Sequence, residues 1–176
     1  MIYQFKCSCQ ESRRFQPEVS IGAHHTFADL HLALQNSLGF QPYHLASFII
    51  PVPKKRARIE ISELDPGTGN PLFFCMRNTL IGEMITPDRK LILYMFDLMN
   101  DRYLNLELTG TIMEKSLMEP VVSLSRGEKP VQVLDDVMTE DLFETSEKRK
   151  NKKSDSNYGV LADYYEIFGE MEEYVL

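Results

Sequence analysis

The chain has 176 residues, 43% of them hydrophobic and 26% charged, with a formal net charge of −7. That length suits one domain with its own core and is short for two, and the composition excludes wholesale disorder. No stretch approaches the roughly eighteen uninterrupted apolar residues of a membrane span.

The opening Met1-Ile2-Tyr3-Gln4-Phe5-Lys6 has no charged region followed by an apolar one, so no secretory signal is expected. Three Cys, an odd number, then read as reduced thiols of a soluble, cytoplasmic protein rather than as a disulfide framework. Charge is unevenly spread: residues 1–100 carry ten basic and nine acidic side chains, residues 101–146 four and ten. The main basic run, Lys148-Arg149-Lys150-Asn151-Lys152-Lys153, falls in a polar stretch read as a linker. Nucleic acid needs a basic surface that displaces counterions from phosphates, so it is not the expected partner.

In chain order, Tyr3, Phe5, Cys7 and Cys9 alternate with Gln4, Lys6 and Ser8, the period of a half-buried strand. A second extended segment is predicted over 15–21. Thr26 precedes Phe27, Leu30, Leu34 and Leu38 at helical spacing, with Asp29 three residues after it and Gly39 after the last apolar position. That pattern predicts a helix capped by Thr26 and stopped at Gly39. Strands are predicted over 45–52 and 58–62, and a loop over 65–71. A short helix over 80–85 is expected to be capped by Thr79. Residues 90–96 and 103–108 flank a turn and read as a hairpin, and a further strand runs over 120–124.

The fold class expected is α+β: an antiparallel or mixed sheet with the 26–38 helix packed across one face. Its strand–strand–helix opening is β-grasp-like by analogy. The domain is placed at 1–143, a polar linker at 144–157, and an acidic amphipathic C-terminal helix at 158–176. That last helix has the stripe Leu161, Tyr164, Phe168 and Met171, expected to bury on its own domain, the alternative being a second chain.

Asp29-Leu30-His31, with Gln35, Gly39-Phe40, His44-Leu45 and Phe48 in order, resembles the N-terminal signature of the plasmid pRiA4b ORF-3-like family. Leu93-Tyr94-Met95-Phe96-Asp97 is similar to that family's Tyr-x-Tyr-Asp strand. Glu119-Pro120-Val121 and Gly127-Glu128-Lys129-Pro130 resemble its next strand and proline turn. The resemblance covers roughly 1–132. The family runs Tyr-Asp-Phe-Gly-Asp-x-Trp-x-His through the hairpin, whereas Phe96, Asp97, Leu98, Met99, Asn100, Arg102 and Leu104 stand there in this chain. Of these only Asp97 is kept, so an activity resting on the family's Asp–His pair is not implied. Some members are described as mobile-element passengers or as resolvase-like, which names no mechanism.

The candidate binding residues are His31, His44, Asp97 and Asp101. His31 lies on the flank of the helix stripe and His44 opens the following strand. The two could converge with Asp97 into a polar cluster for acid–base or metal work; alternatively each imidazole ties helix to strand by ordinary hydrogen bonds. Asp97 and Asp101 bracket a turn, where carboxylates bond local amides. His24-His25 is read as a solvated turn. Cys7-Ser8-Cys9 is read as core, because a zinc site wants three or four ligands from separated segments. No catalytic residue, metal or cofactor is assigned. The reading adopted is a non-catalytic binding or accessory module, monomeric or homodimeric, with a protein partner and no membrane. The alternative is an enzyme or nucleic-acid accessory factor of mobile-element origin using His31, His44 and Asp97.

Overall fold

A computed structural model describes residues 1–134 except 13, 43, 53–56, 66, 68 and 124–126. The chain divides into two units, Met1–Pro53 with Arg58–Gln132, and Lys54–Ala57 with Val133–Leu176. The expected linker and C-terminal helix lie outside the described residues.

The elements run β1 (Ile2–Cys9), β2 (Glu18–Gly22), α1 (Phe27–Leu38), β3 (Ser47–Val52), β4 (Ala57–Ser62), β5 (Phe73–Cys75), α2 (Ile81–Met84), β6 (Leu91–Asp97), β7 (Arg102–Ile112) and β8 (Val121–Ser123). They form one eight-stranded sheet in the order β5-β4-β3-β6-β7-β1-β2-β8. Among the described residues β1–β2, β1–β7, β2–β8, β3–β6 and β6–β7 pair antiparallel and β4–β5 pairs parallel, so the sheet is mixed. The α+β expectation holds at that level, and the strand order does not establish the β-grasp analogy. Strand β5 has no counterpart in the sequence reading. It is three residues long, too short to show a period, and it forms by pairing Phe73–Cys75 with Glu60–Ser62.

In β1, Tyr3, Phe5, Cys7 and Cys9 are buried while Gln4 and Lys6 are exposed, as the alternation requires. The central β6 is buried on both faces: Ile92, Tyr94 and Phe96 join the main core, and Leu93 and Met95 are buried on the reverse side. That is why 91–96 reads as a continuous apolar run rather than an alternating one.

Helix α1 begins with a reciprocal cap. Asp29 N–H donates to Thr26 Oγ1 at 3.2 Å, and Thr26 N–H donates to Asp29 Oδ2 at 2.8 Å. It ends at Gly39, whose φ of 77° is left-handed and whose N–H reaches the Gln35 carbonyl. Lys129 supplies a cation at this C-terminal end by donating to the Ser37 carbonyl at 2.6 Å. Phe27, Leu30, Leu34 and Leu38 are buried, and the Phe27 ring meets Phe48 of β3 edge-on at 5.2 Å. Burial of each such side chain stabilises by about 1.5–3 kcal/mol.

Helix α2 corrects one expectation. Its N-cap is Leu80, whose N–H is served by Glu83 Oε2, whereas the Thr79 hydroxyl donates to the Cys75 carbonyl at 2.8 Å. Thr79 therefore closes the turn after β5 instead of capping the helix. Among the described residues no helix is long and apolar enough to cross a membrane.

Candidate functional site

Helical spacing from Phe27 carries His31 onto the edge of the buried face of α1, against β6. There its Nδ1 lies 3.0 Å from the Tyr94 hydroxyl, and both residues are buried. The rings meet edge-on at 5.7 Å. Burial lowers the His31 imidazole below its ordinary value, an effect that the Glu63 carboxylate opposes. Burial raises the Tyr94 phenol, and Glu63 adds to that rise. At neutral pH the bond therefore joins a neutral imidazole and a protonated phenol. The base and the acid have both been weakened, so proton transfer from the phenol to the imidazole is uphill. Such a pair orients helix against sheet.

Asp97, at the end of β6, sits at a second polar junction whose centre is Arg102. The Arg102 guanidinium donates to Asp97 Oδ2 at 3.1 Å and to Glu11 Oε2 at 2.7 Å, with a further bond from Nε to Glu11 Oε1. It also donates to the carbonyls of Val131 at 2.6 Å and Gln132 at 3.3 Å, and it lies 5.0 Å from the Phe96 ring centroid. The flat five-donor fork of arginine suits a site with so many acceptors. Although Arg102 is only 8% exposed, its charge is compensated by two carboxylates. Asp97 also accepts from the Asn100 amide and side chain. Burial alone would raise the Asp97 carboxyl, but the bonds from Asn100 and Arg102 outweigh it and hold the group below its ordinary value. Gln132 extends the junction by pairing its side chain with both the N–H and the carbonyl of Gln41.

The two central candidates thus have different partners: His31 bonds Tyr94, and Asp97 bonds Arg102 and Asn100. His44 is half-buried in the segment between α1 and β3. Asp101 is exposed in the β6–β7 turn with a positive φ of 51°, a conformation Asp tolerates better than most side chains. His25 departs from the solvated-turn expectation, being 7% exposed. Its Nδ1 accepts from Gly22 N–H at 3.2 Å, so the proton resides on Nε2, which faces the Met118 carbonyl at 3.1 Å. It latches the β7–β8 connection to the turn before α1. Cys7 and Cys9 are core residues, and among the described residues no three His, Cys, Asp or Glu side chains are grouped to hold a metal ion. Sequence reasoning missed Tyr94 as a partner and Arg102 altogether. The one signal for Arg102 was its place at the position where the resembled family carries Trp.

Away from these junctions, a cleft of about 450 Å³ opens beside the second half of β7, between Leu108–Thr111 and the Ile85–Lys90 segment. Its floor carries an irregularity: the β1–β7 register shifts between Gln4 and Phe5, leaving Thr109 as the extra residue.

The family described as plasmid pRiA4b ORF-3-like protein matches residues 2–168, farther than the sequence resemblance reached. Among solved structures, a protein of unknown function from Methanosarcina mazei is similar with a TM-score of 0.60 and 19% identity, covering 93% of this chain and 87% of that one. At that identity the likeness is one of fold. No curated protein matches the chain.

Proposed function

We propose that this chain, which belongs to the plasmid pRiA4b ORF-3-like family, is a non-catalytic binding or accessory module whose partner is a protein. The observation that carries this reading is the occupation of its best acid–base groups. His31 is held by Tyr94 inside the fold, and Asp97 is neutralised by Arg102. A general base must reach a substrate proton directly or through one water, and these groups spend their bonding capacity on the protein itself. The net charge of −7 favours a protein over a polyanion as partner.

The test is recovery of bound proteins and small molecules from native lysate by mass spectrometry, with the wild-type chain and with His31→Gln. The reading expects the same protein partner with both, and a lower melting temperature for the variant. Recovery of a small molecule that wild type converts and His31→Gln binds without converting would overturn it in favour of an enzyme.

A further inference from the structure

Strands β6 and β7 differ in length, seven residues against eleven. Their ladder covers Leu91–Asp97 against Glu107–Arg102, and one more rung joins Leu108 N–H to the Lys90 carbonyl at 2.8 Å. Beyond Lys90 the chain turns away through Thr86–Arg89. Thr109, Gly110 and Thr111 of β7 therefore lie between β1 and the cleft, and Ile112 follows them beyond the β6 ladder.

The direction of the free backbone groups follows from strand alternation. Cys7 N–H donates to the Pro17 carbonyl, on the β2 side, so the odd residues of β1 bond toward β2 and the even ones toward β7. Gly110 and Ile112 face Gln4 and Ile2, and so bond β1. Thr111 faces Tyr3, and its N–H and C=O point into the cleft. An open strand edge of this kind is a template for one more strand.

The wall of the cleft supplies the charge. Lys90 lines it and is exposed, and among the described residues its ammonium has no hydrogen-bond or ion-pair partner. The hydroxyl-bearing Thr86, Thr109 and Thr111 line it too, and among the described residues no carboxylate does. A strand added antiparallel to β7 continues the line of β6 backwards, so its last residue arrives where β6 begins, beside Lys90. There it must stop. A chain end fits that geometry, and an ending carboxylate meets the free ammonium; a parallel strand would bring an N-terminal ammonium against it instead. At about 3.4 Å per residue the open edge takes roughly four residues.

We propose that this notch binds the extended C-terminal tail of a partner protein by strand addition to Thr109–Ile112, with Lys90 receiving the terminal carboxylate. This deepens the binding-module reading by naming its surface, and it makes no use of His31 or Asp97.

The test is fluorescence anisotropy with an N-terminally fluorescein-labelled hexapeptide of alternating threonine and valine bearing a free C-terminal carboxylate. The same peptide as its C-terminal amide is the control. Saturable binding of the acid is expected, weakened about tenfold by amidation and about tenfold by Lys90→Gln, since a charge-assisted bond is lost in each case. Amide exchange at Thr111 should slow when the acid binds. Lys90→Gln should keep the wild-type melting temperature, because Lys90 is exposed. Absence of binding at millimolar peptide, equal affinity for acid and amide, or protection at the β8 edge instead of Thr111 overturns the proposal. Each of those results leaves the partner-retention test with His31→Gln standing on its own.

Discussion

The Tyr94 hydroxyl and His31 Nδ1, 3.0 Å apart, form a buried polar bond across the packing of α1 on the sheet. Removing one partner strands the other. Tyr94→Phe should destabilise by about 1–3 kcal/mol, the cost of a buried group left unsatisfied. The double variant His31→Leu with Tyr94→Phe should recover part of that loss, because neither polar group then remains. Urea denaturation of the single and double variants checks this; strict additivity would show that the pair is not coupled.

His31 also predicts a dependence on pH. Its folded-state pKa lies below the ordinary 6.5, so below 6.5 the unfolded chain binds the proton more readily. The contribution is fully present above about 6.5, declines as pH falls below it, and levels off once pH is under the folded value. The slope of unfolding free energy between pH 7 and 5 should be reduced in His31→Gln relative to wild type.

Arg102 is the residue whose loss should cost most. Arg102→Ala leaves the nearly buried Asp97 carboxylate without its cation, a change of about 3–5 kcal/mol for a fully buried pair. The more exposed Glu11 should contribute little to that figure. Arg102→Lys, which keeps the charge and loses the fork, should fall between. Because the folded Asp97 carboxyl lies below its ordinary value, this stability is present above about pH 4 and is lost as pH falls further. Acid unfolding monitored by circular dichroism should begin at a higher pH in both variants.

The thiols should separate by reactivity. Burial pushes Cys7 up to about 12 and raises Cys9, whereas Cys75 is only half-buried. Iodoacetamide at pH 8 should modify Cys75 first in the native protein and all three after unfolding, read by peptide mass spectrometry. Rapid native labelling of Cys7 would show that β1 is turned the other way.

Gly39 stands in the left-handed region with no atom within 4 Å of where a Cβ would sit, so a substitution there meets backbone strain alone. Gly39→Ala should cost about 1 kcal/mol, and Gly39→Asn less. Equal stability of the alanine variant in urea would mean that α1 ends elsewhere.

Local patterns were legible in the sequence because they report local physics. The alternation of β1, the Thr26–Asp29 cap and the Gly39 stop each depend on residues within a few positions of one another. The polar junctions do not. His31 finds Tyr94 across 63 positions and Arg102 finds Glu11 across 91, separations at which no periodicity carries information. Arg102 would ordinarily be assigned to the surface, and only its set of acceptors makes burial affordable. His25 misled for the same reason, its partner Met118 lying 93 positions away, whereas the Thr79 hydroxyl turned back to the Cys75 carbonyl four residues earlier instead of forward to the helix.

The strand order also has a consequence for synthesis. β1 lies inside the sheet, yet its neighbour β7 leaves the ribosome roughly a hundred residues later. At about 5–20 residues per second, one edge of β1 waits on the order of 5–20 s for the strand that will cover it. During that interval Tyr3, Phe5, Cys7 and Cys9 offer an apolar face beside unpaired backbone, the combination that invites pairing with another nascent chain. The charge of Lys6 in the middle of that edge opposes such pairing. Yield during expression should therefore respond to Lys6→Val more strongly than the melting temperature of the purified protein does.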